Sequence, residues 1–173
     1  VEERDFCPDA SNEALMDRFF DYFCIKGYAS NGHLIDNDDT ASQLPDYFRD
    51  NLEHGRSCSA ADYVHALNAV GRYRAYANTF FEEFDLLSWP STAVPAFPIE
   101  QPPAEIAGRS VKNLRWGFTP FTPVFNLTGN PAASVPCGFS EDGLPIGFQI
   151  VGGMEDEVTV LAASAAYEKA RPW

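Results

Sequence analysis

Phe121-Thr-Pro-Val-Phe-Asn-Leu-Thr-Gly-Asn-Pro-Ala-Ala-Ser-Val-Pro-Cys-Gly-Phe139, followed by Gly143-Leu-Pro-Ile-Gly-Phe-Gln-Ile-Val-Gly152, is the stretch on which the reading of this chain turns. Ala133 to Phe139 is a short strand candidate, Glu141-Asp-Gly143 a turn signal, and Ile146 to Val151 a second strand, so the two strands are expected to pair as a hairpin. Gly129 and Gly138 suit backbone positions that need unusual torsions or close approach. Pro131 and Pro136 set chain direction and limit strand pairing at their own positions. The preceding part, from Phe118, is proline- and threonine-rich and delivers the chain to the first strand.

Working outward, Glu155 to Ala170 closes the chain as a helix, with acidic residues in its first turn and Lys169 and Arg171 near its end. Upstream, Trp89 to Phe97 and beyond carries Pro90, Pro95, Pro98, Pro102 and Pro103, which predicts a long irregular connection to about Trp116, anchored by Val94, Phe97 and Ile99. Phe84-Asp-Leu-Leu-Ser-Trp89 reads as a buried strand that stops at Pro90. Before it, Tyr63, Leu67, Val70, Ala77, Phe80 and Phe84 keep the helical period, with Ser59-Ala-Ala-Asp62 as a capping start. Pro45 to His54 predicts a short helix closed by Gly55, and Ser11 to Gly27 a first helix with Ser11 as N-cap and Gly27 as stop. His65, between apolar turns, reads as a surface or hydrogen-bonded helix histidine.

The 173 residues suit a single domain over 1–173, and 45% apolar with 14% aromatic content suffices for a core. Twelve Lys plus Arg against 25 Asp plus Glu leaves a formal charge of −13, which disfavours nucleic acid and anionic membrane surfaces as partners. Asp36-Asn37-Asp38-Asp39 has the look of a calcium loop, but Ala41 and Tyr47 stand where an EF-hand needs Gly and Glu, so a solvated loop is expected. Cys7, Cys24, Cys58 and Cys137 lack C-x-x-C spacing, and no two of His33, His54 and His65 are four residues apart. Reduced thiols, a cytoplasmic protein, no metal and no cofactor are therefore expected. No stretch approaches the roughly 20 apolar residues of a membrane helix, and the start at Val1 has neither an initiator Met nor the regions of a signal peptide.

The stretch quoted first resembles the C-terminal part of the amidase-signature family, a group that includes the glutaminase subunit of glutamyl-tRNA amidotransferases. That family has an N-L-x-G-x-P-A segment, an S-V-P-C-G strand, a G-L-P-x-G-x-Q-I-x-G strand and a last helix ending near Arg171-Pro-Trp173. Phe80 to Pro95 is similar to its F-x-x-x-D-x-L-x-x-P-T-x-x-x-P stretch, and Ser59 to Tyr63 to the helix start before it. The likeness is strongest over 116–173, good over 57–98 and vague before about residue 45. It implies an α/β fold: part of a mixed β-sheet packed by helices, with long proline-rich loops.

The resemblance also implies amide hydrolysis by a serine, a second serine in a cis peptide and a lysine. Such chemistry needs a titratable lysine and an oxyanion hole. This chain has no Gly-Gly-Ser-Ser-Gly-like run, and Lys26, Lys112 and Lys169 sit in no matching motif, so no catalytic residue is assigned. Ser134 is expected to be an inward strand residue with a bonded hydroxyl, and Cys137 a packing residue. Pocket lining carries over to Thr119, Thr122 and Asn126, with Gly129 permitting close approach. Thr119 aligns with an aspartate that, in the glutaminase subunit, holds the substrate's amino group, which argues against glutamine amidotransfer. The leading expectation is a C-terminal amidase portion, inactive alone. The alternative is a non-catalytic protein that associates with a separate N-terminal half or with itself. A third, an independent enzyme using Ser134 or Cys137 with His65, needs a triad geometry that spacing does not supply.

Overall fold

The computed structural model describes residues 1–4, 6, 12–99, 101–111 and 117–172. Cys7, Ser11, Lys112, Trp116 and Trp173, on which expectations above rest, lie outside the described residues. The chain divides into two compact units, Val1–Arg72 and Tyr73–Trp173.

In the first unit, helix α1 (Asn12–Asn31) packs against α3 (Asp46–Ser57) over Phe19, Cys24 and Leu52, all buried. Both glycines expected to stop these helices lie inside them. Gly27 keeps helical torsions, and α1 runs on to Asn31, whose side-chain Nδ2 donates to the Gly27 carbonyl at 3.3 Å. Gly55 is a site of close approach: a Cβ there would sit 2.1 Å from the Cys24 carbonyl oxygen, so only glycine lets the two backbones come together. Tertiary packing thus overrides the stop signal that a glycine carries in isolation.

Residues 36–39 are exposed, as a solvated loop should be, but Asp38 and Asp39 begin a helical turn, α2 (Asp38–Ala41). Asn37 nucleates it, its side-chain oxygen accepting from the amides of Asp39 at 2.9 Å and Thr40 at 3.3 Å. Helix α4 (Ala60–Glu83) starts with the expected cap. The Asp62 carboxylate accepts from Ser59 N at 2.8 Å and Ser59 Oγ at 2.6 Å, and these bonds hold the Asp62 carboxyl below its ordinary value. His65 lies exposed on this helix.

The second unit is built on a three-stranded antiparallel sheet of order β1 (Leu86–Pro90), β5 (Pro145–Gly152), β4 (Ala132–Phe139). β4 and β5 form the expected hairpin. Its turn is closed by Ser140 N donating to the Leu144 carbonyl at 2.8 Å and by Gly143 at φ 76°. Gln149, Ile150, Val151 and Gly152 bury the far end of β5. Among the described residues β1 lies at the edge of the sheet, and Leu87 is its one fully buried residue where a buried strand was expected.

The proline-rich connection contains a two-stranded ribbon, β2 (Glu105–Ile106) with β3 (Arg109–Ser110), turned by Ala107 and Gly108 at positive φ. Phe97 is anchored by an edge-to-face contact with Phe118 at 5.0 Å, whereas Ile99 is 90% exposed and anchors nothing. A short helix, α5 (Pro123–Thr128), forms in the segment read only as proline- and threonine-rich. The last helix, α6 (Glu157–Ala170), is capped by Asp156, which accepts from Thr159 N at 3.2 Å, and stacks Tyr167 on Phe148.

Candidate functional site

Helix α5 forms because each end carries the right residue. Pro123 occupies the first turn, where its missing N–H costs nothing. Gly129 closes the helix in the left-handed region at φ 87°, its N–H donating to the Phe125 carbonyl at 2.8 Å. Between them Val124, Phe125, Leu127 and Thr128 are buried. Phe125 packs on Trp89 at 5.3 Å, and Phe121, just before the helix, on the same indole at 5.4 Å. The Trp89 indole N–H in turn donates to the side chain of Gln149 on β5. These contacts join the helix to the sheet.

The C-terminal carbonyls of α5, which have no partner within the helix, are met from α4. Arg74 Nε donates to Leu127 O at 3.3 Å and Thr128 O at 3.1 Å, placing a cation at the negative end of the helix. Beyond the helix, Asn130 Nδ2 donates to Gly152 O at 2.9 Å within the core, and Gly152 N to Pro131 O at 3.0 Å. The segment is therefore held to β5 on both sides of Pro131.

Thr122, Asn126 and Gly129 follow one another at steps of four and three residues, which places them on one face of α5. It is the face left over once the apolar residues are buried: Asn126 and Gly129 are exposed and Thr122 is half-buried. Thr119 stands three residues earlier, half-buried in the preceding loop. The arrangement presents a hydroxyl, a carboxamide and bare glycine backbone. These are neutral hydrogen-bonding groups with no formal charge among them.

A second polar group lies on the sheet. Ser134 on β4 is exposed rather than inward, and its hydroxyl shares a 2.6 Å hydrogen bond with Ser91. Gly147 makes room for the pair, since a Cβ there would lie 2.7 Å from Ser91 Oγ and 2.8 Å from Ser134 Oγ. Cys137 also departs from its expected packing role. Pro136 pairs with Gly147 and Gly138 with Ile146, so Cys137 is the extra residue of a β-bulge and is exposed, its thiol donating to Ile146 O at 3.4 Å. Proline lacks the N–H that regular pairing needs, which favours the irregularity there. Among the described lysines, Lys26 lies 5.3 Å over the Tyr22 ring, and Lys169 is exposed in the last turn of α6.

Comparison with known proteins finds relatives of the chain. A family model described as Amidase matches residues 10–161. An acylamidase of Rhodococcus erythropolis is 31% identical over 152 residues, which make up 86% of this chain and 31% of that protein. A glutamyl-tRNA(Gln) amidotransferase chain of Thermodesulfovibrio yellowstonii is 40% identical over 93 residues, 54% of this chain and 18% of that protein. Among solved structures, a bacterial aryl acylamidase of the amidase-signature enzymes superposes with a TM-score of 0.83 at 27% identity, over 98% of this chain and 36% of that one. The chain thus spans about a third or less of the length of these relatives.

Proposed function

We propose that this chain, which belongs to the amidase family, supplies the sheet and one pocket wall of an amide hydrolase whose nucleophile and lysine come from outside these residues. The observation that carries the reading is α5, with its apolar side locked to Trp89 and β5 and Thr122, Asn126 and Gly129 turned outward on one stripe. A wall of this kind binds by neutral hydrogen bonds and shape, which suits an uncharged amide. Thr119 and Thr122 offer hydroxyls and Asn126 a carboxamide, while Gly129 lets a substrate approach the backbone.

The substrate class favoured is an acyl or aryl amide rather than glutamine. Thr119 carries no charge to hold an α-amino group, and the match to the acylamidase extends over more of the chain than the match to the amidotransferase. The serine and lysine chemistry of the family has no matching run here, so catalysis by this chain alone is not expected.

A second reading, association with another polypeptide, is favoured by the sheet itself. β1 and β4 are its outer strands among the described residues, and Phe139, Val158 and Leu161 are 71%, 78% and 66% exposed. Unpaired edges and exposed apolar side chains favour docking. The localisation consistent with an amide hydrolase of this composition is cytoplasmic. No described helix is long and apolar enough to cross a membrane.

The test is to treat the purified chain with a fluorophosphonate probe, read its intact mass, and assay ammonia release from simple amides. No adduct and no ammonia are expected. A stoichiometric adduct mapped to Ser134 or another serine overturns the reading.

A further inference from the structure

Away from α5, within the unit Val1–Arg72, three side chains of different chemistry converge. Asp21 projects from α1, His54 from the last turn of α3, and Cys58 from the residue that caps α3. A carboxylate oxygen of Asp21, a ring nitrogen of His54 and the Cys58 sulfur all lie within 4.8 Å of one another, and all three residues are half-buried. His54 and Cys58 are four residues apart, the spacing that sets two side chains over one another at a helix end. Neither the histidine pairs nor the C-x-x-C spacing sought in the sequence would find this set, because its third member is 33 residues away on another helix.

The surroundings already orient two of the three donors. Arg18 Nη1 donates to Asp21 Oδ2 at 3.1 Å, which leaves Oδ1 directed at His54 Nε2, 2.9 Å away. The Phe20 ring packs on the imidazole at 4.8 Å and fixes its plane. Outer contacts of this kind, which hold one oxygen of a carboxylate and the plane of a ring, are what preorganise metal ligands. A hydrogen-bonded Asp–His pair needs no thiol beside it, and the presence of Cys58 distinguishes this cluster from a simple pair.

We propose that Asp21, His54 and Cys58 form a binding site for a divalent cation of the zinc class, with solvent completing the coordination. Ligand chemistry selects the ion. One thiolate, one imidazole and one carboxylate suit zinc or cobalt, whereas calcium and magnesium require oxygen donors. Donors around a tetrahedral zinc stand roughly 3.3 to 3.7 Å apart, given bond lengths of about 2.0 to 2.3 Å. Small side-chain rotations about the positions seen here therefore close the site. The groups facing the thiol are Asp21, Asp62 and the buried Cys24. Burial, and after it the Asp21 and Asp62 carboxylates, push the Cys58 thiol above its ordinary value. A bound dication stabilises the thiolate against both causes, and the thiol proton leaves to solvent.

The test is an anaerobic titration of the 173-residue chain with cobalt(II) under reducing conditions, followed by back-titration with zinc. The expected result is one cobalt per chain, with a thiolate-to-cobalt charge-transfer band in the near ultraviolet that stoichiometric zinc abolishes. Cys58→Ser removes the band, and His54→Ala weakens affinity by on the order of 100-fold. Cys137→Ser, in the other compact unit, leaves both readouts unchanged. Failure of the wild-type chain to give a one-to-one band overturns the proposal, as does a band that survives Cys58→Ser in a variant whose circular dichroism matches wild type.

Discussion

In the unit Tyr73–Trp173 the polar stripe of α5 is held from behind, whereas in Val1–Arg72 the polar groups of α1 and α3 hold one another. Behind α5 lie the Trp89 indole, the Arg74 guanidinium and the Asn130 amide, and the outward residues Thr122 and Asn126 take no part in that support. Between α1 and α3 the Asp21–His54 bond is itself part of the helix contact, and Cys24, Leu52 and Gly55 are buried in the same helix pair. The difference separates two designs. A wall supported from its apolar side can change its exposed residues at little cost to folding, while an inward polar cluster is tied to the packing that creates it.

The largest effect is expected where that packing is tightest. Gly55→Ala would place a Cβ 2.1 Å from a backbone oxygen of α1, which cannot step aside as a flexible side chain can. The helices must part, at a cost of about 3 kcal/mol measured by urea unfolding. Gly71→Ala in α4 is the matched control. Nothing lies within 4 Å of a Cβ there, so it is expected to stabilise by about 0.5 to 1 kcal/mol. Equal stabilities for the two variants would remove the close approach from the account of unit Val1–Arg72.

A smaller effect separates support from surface within the other unit. Asn130→Ala deletes the amide that meets the buried Gly152 carbonyl and is expected to cost about 2 kcal/mol. Asn126→Ala, on the exposed stripe, should stay within about 0.5 kcal/mol of wild type. If Asn126 proved as costly as Asn130, α5 would be a packing element rather than a presented wall.

The smallest effect is silent at neutral pH. Cys24 is 1% exposed, and burial, followed by Cys58 and Asp21, pushes its thiol up from 9.0 to about 12. The folded chain holds this proton more tightly than the unfolded one. The resulting contribution is fully present below about pH 9 and is lost as pH rises toward about 12. Thermal unfolding between these limits should fall with pH more steeply in wild type than in Cys24→Ala. Parallel slopes would count against burial as the dominant cause.

Much of the fold was legible because its signals are local. The β4–β5 hairpin follows from Glu141-Asp-Gly143 between two apolar runs, α4 from its period and its Ser59–Asp62 cap, and α6 from its charged ends. The amidase resemblance rested on the same fixed Gly and Pro positions. Of the candidate site, the residue types at Thr119, Thr122, Asn126 and Gly129 were legible through that resemblance, but their common face was not. A six-residue helix carries too little periodicity to be read, and is worth forming only because Trp89 covers its apolar side.

What the sequence determined by itself is the set of strong local preferences: where the chain turns, which runs alternate, which helices begin with a cap. Tertiary structure alone decided the rest. It kept Gly27 and Gly55 inside their helices, placed Cys137 on a bulge and Ser134 beside Ser91, and brought Asp21 to His54 and Cys58. The physical reason is the range of the interactions. Capping, turn torsions and periodicity act within a few residues, but close backbone approach, bulged pairing and side-chain convergence depend on partners tens of residues away, whose positions only the packed chain supplies.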